Sequence, residues 1–373
     1  MRNEDKRTWA EIDLRRLEHN YNEIRRVLPP GCRFAGLCKA NAYGHGAVTV
    51  AKRLEALGAD CIAVSCCEEA AELREAGLKM PILILAPSPA FLAPDIARLP
   101  AVQTIGDIDC ARAMSRALAG TWLRLQCQVK LETGMGRTGF DVSSPRDMAA
   151  VRELASLPGL EVTGLFTHFA VSDEPEESFT LEQFGRFTAA VDALENETGR
   201  SLGIRHCANS GAVVNFRQTC LDMVRPGLLL YGLYPGAERG GLDLKPVMRL
   251  LTRVAEITEH HAGDTISYGR IFTCERDMRL AVIPVGYADG LHRSLSGRFD
   301  VVINGKRAHQ VGRICMDMCM VDVTDMPEVK TGDIVTVFGD EPEATELADI
   351  GGTISYELLC AISPRVPRVY IDV

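Results

Sequence analysis

Eight short apolar runs of strand length, most of them followed by an amphipathic helical stretch, constrain this chain more than any other feature. They lie at Phe34–Cys38, Cys61–Ser65, Ile82–Ala86, Val102–Ile105, Leu123–Leu131, Val162–Phe166, Ile204–Ala208 and Asp222–Arg225. Between them Ala47–Leu57, Glu68–Ala76, Asp107–Leu118, Arg146–Leu157 and Leu181–Glu197 read as helices from their three- and four-residue apolar spacing. Strands alternating with helices argue for βαβ units and a parallel sheet. Eight of them within roughly 200–250 residues predict an α/β chain built on a TIM-like (β/α)8 barrel. A doubly wound open sheet is the alternative, but no G-x-G-x-x-G follows the first strand. A further run, Thr8–Ile12, precedes a helical pattern of Leu14, Leu17, Tyr21, Ile24 and Leu28 that Asp13 can N-cap and Pro29-Pro30-Gly31 ends.

Pro235-Gly236-Ala237-Glu238-Arg239-Gly240-Gly241 is a turn-rich break, beyond which strands recur without long helices between them. These are Val247–Thr258, Arg279–Gly286, Phe299–Ile303, Met318–Val323, Ile334–Phe338 and Val366–Asp372, with one helical segment near Glu346–Cys360. Asn304-Gly305 between apolar runs is a strong hairpin signal. The expected division is a barrel over residues 1–240 and a mainly-β domain over 241–373, with residues 8–12 available to pair with the second domain.

A net charge of -9 argues against a non-specific nucleic-acid binder. No apolar run approaches the ~18–20 residues that span a bilayer, and the charged stretch Met1 to Arg7 is not followed by a signal-peptide core. The thirteen cysteines are scattered and odd in number, with no C-x-x-C, so a disulfide framework or a zinc site is not expected. The expected compartment is the cytoplasm.

Active sites of such barrels sit at the C-terminal ends of the strands, so the residues just past each run are the candidates. Lys39 follows the first run, Lys130 and Arg137 flank the end of the fifth, and His168 follows the sixth. Asn209 and Ser210 follow the seventh, and Arg225 with Gly227 the eighth. A lysine where a buried strand emerges has its stem in apolar surroundings. Desolvation lowers its pKa, and a partly neutral amine can form a Schiff base with a carbonyl. A lone lysine there more often snorkels. Here Tyr43 can donate to an anion, and Gly44 and Gly46 let backbone approach a ligand closely. Ser210, opening a short helical stretch, and the Gly227–Leu228 backbone offer a hydroxyl and free amides where these barrels commonly hold phosphate. No metal or nucleotide motif competes for the site.

These candidates sit in longer strings. Lys39-Ala40-Asn41-Ala42-Tyr43-Gly44-His45-Gly46 resembles the cofactor-lysine signature of bacterial alanine racemases, enzymes that use pyridoxal phosphate. Lys130-Leu131-Glu132-Thr133-Gly134-Met135-Gly136-Arg137 resembles their second signature. His168-Phe169-Ala170, His206-Cys207-Ala208-Asn209-Ser210 and Val224-Arg225-Pro226-Gly227 resemble the next blocks. In the second domain Ser267-Tyr268-Gly269-Arg270, Gly312-Arg313-Ile314-Cys315-Met316-Asp317 and Gly352-Thr353-Ile354-Ser355-Tyr356-Glu357 continue the likeness in order. Cys38 stands where valine is commoner and Leu228 where isoleucine is usual, neither at a proposed reacting atom.

The resemblance implies that Lys39 holds the cofactor and that Arg137 bonds its phenolic oxygen, oriented by a carbamylated Lys130. An unmodified Lys130 beside Arg137 would set like charges together, whereas a carbamate makes a pair. His168 and His206 are implied to orient their neighbours, and Arg225 to face the pyridine nitrogen. Tyr43, Asn209, Ser210, Gly227, Leu228 and Tyr356 are implied on the cofactor, with Tyr356 reaching the phosphate. Racemisation needs a proton removed from one face of the α-carbon and returned on the other. Lys39 serves one face, and Tyr268 of the other subunit is implied for the second, so a homodimer with shared sites is expected. The backbone around Met316 is implied to hold the substrate carboxylate, with Asp317 behind it, and Asp173, Arg293, Arg313 and Ile354 to line the entry. The substrate is an amino acid and the implied role is D-alanine supply for peptidoglycan. Serine is the rival substrate, since a pocket rejects an added hydroxyl only ~10²-fold. A barrel decarboxylase or a non-catalytic carrier of pyridoxal phosphate fits the motifs less well.

Overall fold

The computed structural model describes residues 6–176 and 178–371. Its first half is a parallel barrel whose strands run in the order Met223–Val224, Arg33–Leu37, Cys61–Val64, Ile82–Ile84, Ala101–Ile105, Leu125–Glu132, Leu160–Phe166 and Ile204–His206. All eight expected runs are present, within a few residues of their expected bounds. The ring is nearly closed. Its last seam is made by two backbone bonds, Asp222 N–H to Arg205 O at 3.1 Å and Arg225 N–H to Ala208 O at 2.9 Å. Pro226, which has no N–H to donate, follows at once and limits this strand to two residues. Between the strands lie the expected helices, Ala47–Ala56, Cys67–Glu75, Ile108–Leu118, Pro145–Leu154 and Ser178–Thr198.

Helix Leu14–Val27 begins as expected, because Asp13 accepts from the amides of Arg15 and Arg16. The strand before it, Thr8–Asp13, belongs to the second domain. It pairs antiparallel with Met248–Arg253 and parallel with Arg368–Ile371, so the first and last described strands are neighbours in one nine-stranded sheet.

The second domain departs from expectation in several places. The single run Val247–Thr258 is two strands, Met248–Arg253 and Glu256–His260. Between them Val254 N–H donates to Asp333 O and Ala255 N–H to Val282 O, so successive amides are claimed by neighbours in different parts of the sheet. Lys306–Val311 is a strand that its polar side chains hide in the sequence; it returns from Asp300–Ile303 through Asn304 and Gly305, both at positive φ. The one expected helix is two, Ala344–Gly351 and Ser355–Ala361, because Gly352 at φ 72° ends the first. Residues Met1–Asp5 of the charged stretch and the expected strand end at Asp372 lie outside the described residues. Among the described residues no helix is long and apolar enough to cross a membrane.

Buried between the loops of this domain, the Asp289 carboxylate accepts from Arg7 and from both Nε and a terminal nitrogen of Arg365, which also reaches Asp317 at 2.8 Å. This network ties the loop bearing Met316 to the loop at Gly286–Gly290.

Candidate active site

The C-terminal ends of the barrel strands surround a cavity of about 260 Å³, lined by Lys39, Tyr43, Lys130, Arg137, His168, Asn209, Ser210, Arg225, Gly227 and Tyr356 together with Leu37, Leu85 and Phe166. Lys39 enters it two residues past the end of strand Arg33–Leu37. The segment after it is not a simple loop. Ala40, Asn41, Ala42 and Tyr43 all lie at φ 50–55°, a left-handed turn closed by Ala42 N–H to Cys38 O and Gly44 N–H to Ala40 O. Such a conformation costs roughly 1–2 kcal/mol per residue. It is held by Glu69, which accepts from Ala40 N–H, by Asn41 Oδ1 on Ala47 N–H, and by Arg368 of the last strand, whose Nε donates to Gly44 O at 2.8 Å. A side chain at Gly46 would strike the Tyr370 hydroxyl. The second domain therefore clamps the loop that carries Lys39.

Burial first, and then the charge of Arg137, pulls the Lys39 ammonium below its usual range. Lys130 is lowered to about 8 by the same two causes, and its amine donates to Thr138 Oγ1 at 2.7 Å. Arg137 is placed by Glu132, whose carboxylate accepts from the amides of Gly134 and Arg137.

Arg225 is buried and held by several acceptors. It donates to Thr167 O at 2.9 Å, Cys207 O at 3.2 Å, His206 Nδ1 at 2.5 Å and His168 Nδ1 at 3.3 Å, with the Phe166 ring beneath it. A guanidinium can only donate, so both histidines present a lone pair to it and are neutral. Burial, then the Arg225 charge, holds both well below the usual imidazole range. His206, stacked on Phe166, gives its Nε2–H to Gln128 Oε1 at 2.8 Å. It lies behind Arg225 rather than on the cavity.

Gln128 is absent from the sequence reading, although it stands two residues before Lys130 on one strand and so shares its face. Gln183 is likewise missed. From helix Ser178–Thr198 it bonds Thr133 Oγ1, His168 O and Ala170 N–H, stitching two strand ends together. Nothing in its spacing distinguishes it from other helix polars.

One expectation fails in detail. The Gly227 amide is not free but donates to Ser210 Oγ at 2.9 Å. Glycine is still required there, since a Cβ would lie 2.6 Å from the Tyr43 hydroxyl. Leu228 is buried and lines the adjoining cavity with Asp173 and Ile354, which shares His168, Asn209 and Tyr356 with the first. Arg293 and Arg313 are not among the residues lining either cavity.

Tyr268 and Met316 lie elsewhere too. They line a separate groove with Ile266, Cys315, Asp317 and Met318. Tyr268 is 68% exposed on a turn where Ser267, Gly269 and Arg270 all have positive φ, and Met316 is 52% exposed. A single chain does not bring Tyr268 to Lys39's cavity.

The fold and cavity define a barrel enzyme whose half-buried lysine amine sits among cations. Family models for the alanine racemase N-terminal domain and C-terminal domain match residues 12–235 and 247–370. Alanine racemase of Desulfovibrio desulfuricans is 45% identical over 372 residues, covering 99% of each chain. The solved alanine racemase of Clostridium difficile superposes with a TM-score of 0.94 at 37% identity, covering 98% of this chain and 96% of that one. That of Bacillus anthracis with bound L-Ala-P gives 0.90 at 35% identity, covering 98% and 95%. The chain belongs to the alanine racemase family, and the enzyme is an isomerase.

Proposed function

We propose that this racemase holds pyridoxal phosphate in the Lys39 cavity and that two copies of the chain share each site. One observation carries the reading: four cationic side chains, Lys39, Lys130, Arg137 and Arg225, line the cavity and none of its lining residues is acidic. Such a cavity calls for a polyanion. Pyridoxal phosphate meets it with a phosphate, a phenolic oxygen and, once the amino acid arrives, a carboxylate. The close approach at Gly227, which a Cβ would fill, suits a bound phosphate edged by Ser210, Tyr43 and Tyr356.

When bound, the cofactor supplies an aldehyde that captures amines and a ring that draws electrons from the substrate's α-carbon. Lys39 would hold it, Arg137 would bond its phenolic oxygen and Arg225 would face its ring nitrogen. The Lys39 amine, whose pKa burial lowers, takes the α-proton of the D isomer. On the opposite face the Tyr268 phenol of a second copy serves the L isomer, with the backbone at Met316 holding the substrate carboxylate. The apolar, outward groove around Tyr268 and Met316 supports that pairing, as exposed apolar patches mark interaction surfaces. We place the reaction in the cytoplasm, supported by thirteen unpaired cysteines, and infer D-alanine supply for peptidoglycan as its role.

The test is purified protein given pyridoxal phosphate and L-alanine, and separately L-serine, while optical rotation is followed. Rotation should decay with alanine, and borohydride treatment should fix the cofactor to the peptide containing Lys39. Label on another lysine would overturn the assignment. A second expectation concerns Lys130. Carbon dioxide adds only to a neutral amine and releases a proton, so carbamylation should grow as pH rises through about 8. A ¹³C-bicarbonate NMR signal lost in Lys130→Ala, and weakening as pH falls, checks it.

A further inference from the structure

His45 is fully buried, yet among the described residues its Nε2 has no hydrogen-bond partner. Its ring stacks on Tyr231 at 4.3 Å, and Tyr231 in turn donates to Leu37 O and packs on Tyr43. If the ring were there only to stack, a phenyl group would fill the place without leaving a nitrogen orphaned. The other nitrogen explains the choice. Nδ1 lies 3.0 Å from Ala42 O and 2.9 Å from Tyr43 O, two acceptors, so Nδ1 carries the proton and Nε2 the stranded lone pair. Burial lowers the imidazole to about 4, so the ring stays neutral in this tautomer. Ala42 O also receives the His45 amide, whereas the Tyr43 carbonyl, in a buried residue, is met by Nδ1.

We infer that His45 is a positioning residue: its Nδ1–H pins the last two carbonyls of the left-handed turn and so sets where Lys39 and Tyr43, at the two ends of that turn, meet a bound cofactor. The inference rests on the proposed reading of the cavity as a pyridoxal phosphate site. The turn has a strained backbone, so the bonds that hold it decide whether both ends point inward together. Arg368 holds the next carbonyl, Gly44 O, from the second domain; His45 does the same work from the barrel side.

His45→Phe keeps the stack and deletes the donor, whereas His45→Asn restores an N–H near the Nδ1 position and deletes most of the stack. Pyridoxal phosphate is titrated into each apoprotein, followed by visible absorbance, with the urea midpoint of the apoprotein measured alongside. His45→Phe should bind at least ~10-fold more weakly than wild type, and His45→Asn should recover to within ~3-fold. The pH at which the bound chromophore changes colour should move in His45→Phe and not in His45→Asn. Binding by His45→Phe within ~3-fold of wild type overturns the inference, as does an equal loss in both variants. Should His45→Phe not fold, His45→Asn alone decides: near-native binding supports the donor role, and a loss of ~10-fold or more overturns it. A wild-type protein that binds no pyridoxal phosphate sinks the cofactor reading instead.

Discussion

Mixing inactive Lys39→Ala chains with inactive Tyr268→Ala chains is expected to restore racemase activity to about one quarter of the wild-type value. Random re-pairing makes about half of the dimers mixed, and each mixed dimer carries one intact site, formed by Lys39 of one chain and Tyr268 of the other. The reason to expect this is geometric. Tyr268 is outside the Lys39 cavity and mostly exposed on its own chain, so in the proposed dimer the partner copy would have to bring it there. Each variant alone should fall by ~10²–10⁴-fold, the range for losing a positioned acid or base. The measurement is alanine racemisation after the two variants are dissociated, mixed and reassociated. Mixtures that stay inactive across the whole range of ratios would show that one chain supplies both groups.

Arg225→Glu is expected to change the products rather than only the rate. The guanidinium cannot accept a proton and cannot give one up, so a ring nitrogen facing it stays unprotonated. A carboxylate there would favour the protonated nitrogen, a stronger electron sink and more leakage into transamination. The local network amplifies the effect. His206 and His168 now accept from Arg225, and a carboxylate would require them to donate, which His206 can do only by giving up Gln128 or becoming a buried cation. Racemisation should drop ~10²–10³-fold, the scale for losing one oriented electrostatic contact. Keto-acid product per turnover, read by a coupled dehydrogenase, should rise. An unchanged product ratio would count against a role for Arg225 at the ring nitrogen.

Much of this protein is legible in one dimension because its signals are local. Eight apolar runs spaced by amphipathic helices point to a parallel barrel, and Asn304-Gly305 is read correctly because its positive φ values belong to the dipeptide itself. Lys39, Tyr43, Arg137 and Arg225 can be listed from their places after strands, and Lys130 from its place at the end of one. In two places where the reading slips, the deciding contact is distant in sequence. The split at Val254–Ala255 is made by Asp333 and Val282, and the Gly227 amide is taken by Ser210.

What the sequence determined alone is the order of the barrel's strands and helices and the kind of side chains gathered at its C-terminal end, since backbone preference and side-chain identity travel with each residue. Only the tertiary structure decided the protonation pattern and which side chains share the cavity. Gln128 fixes the tautomer of His206 across 78 positions, Arg368 grips the Lys39 loop from the second domain, and Tyr268 lines a groove apart from the Lys39 cavity. Hydrogen bonds and desolvation depend on what is adjacent in space, and adjacency at these separations exists only once the chain has folded.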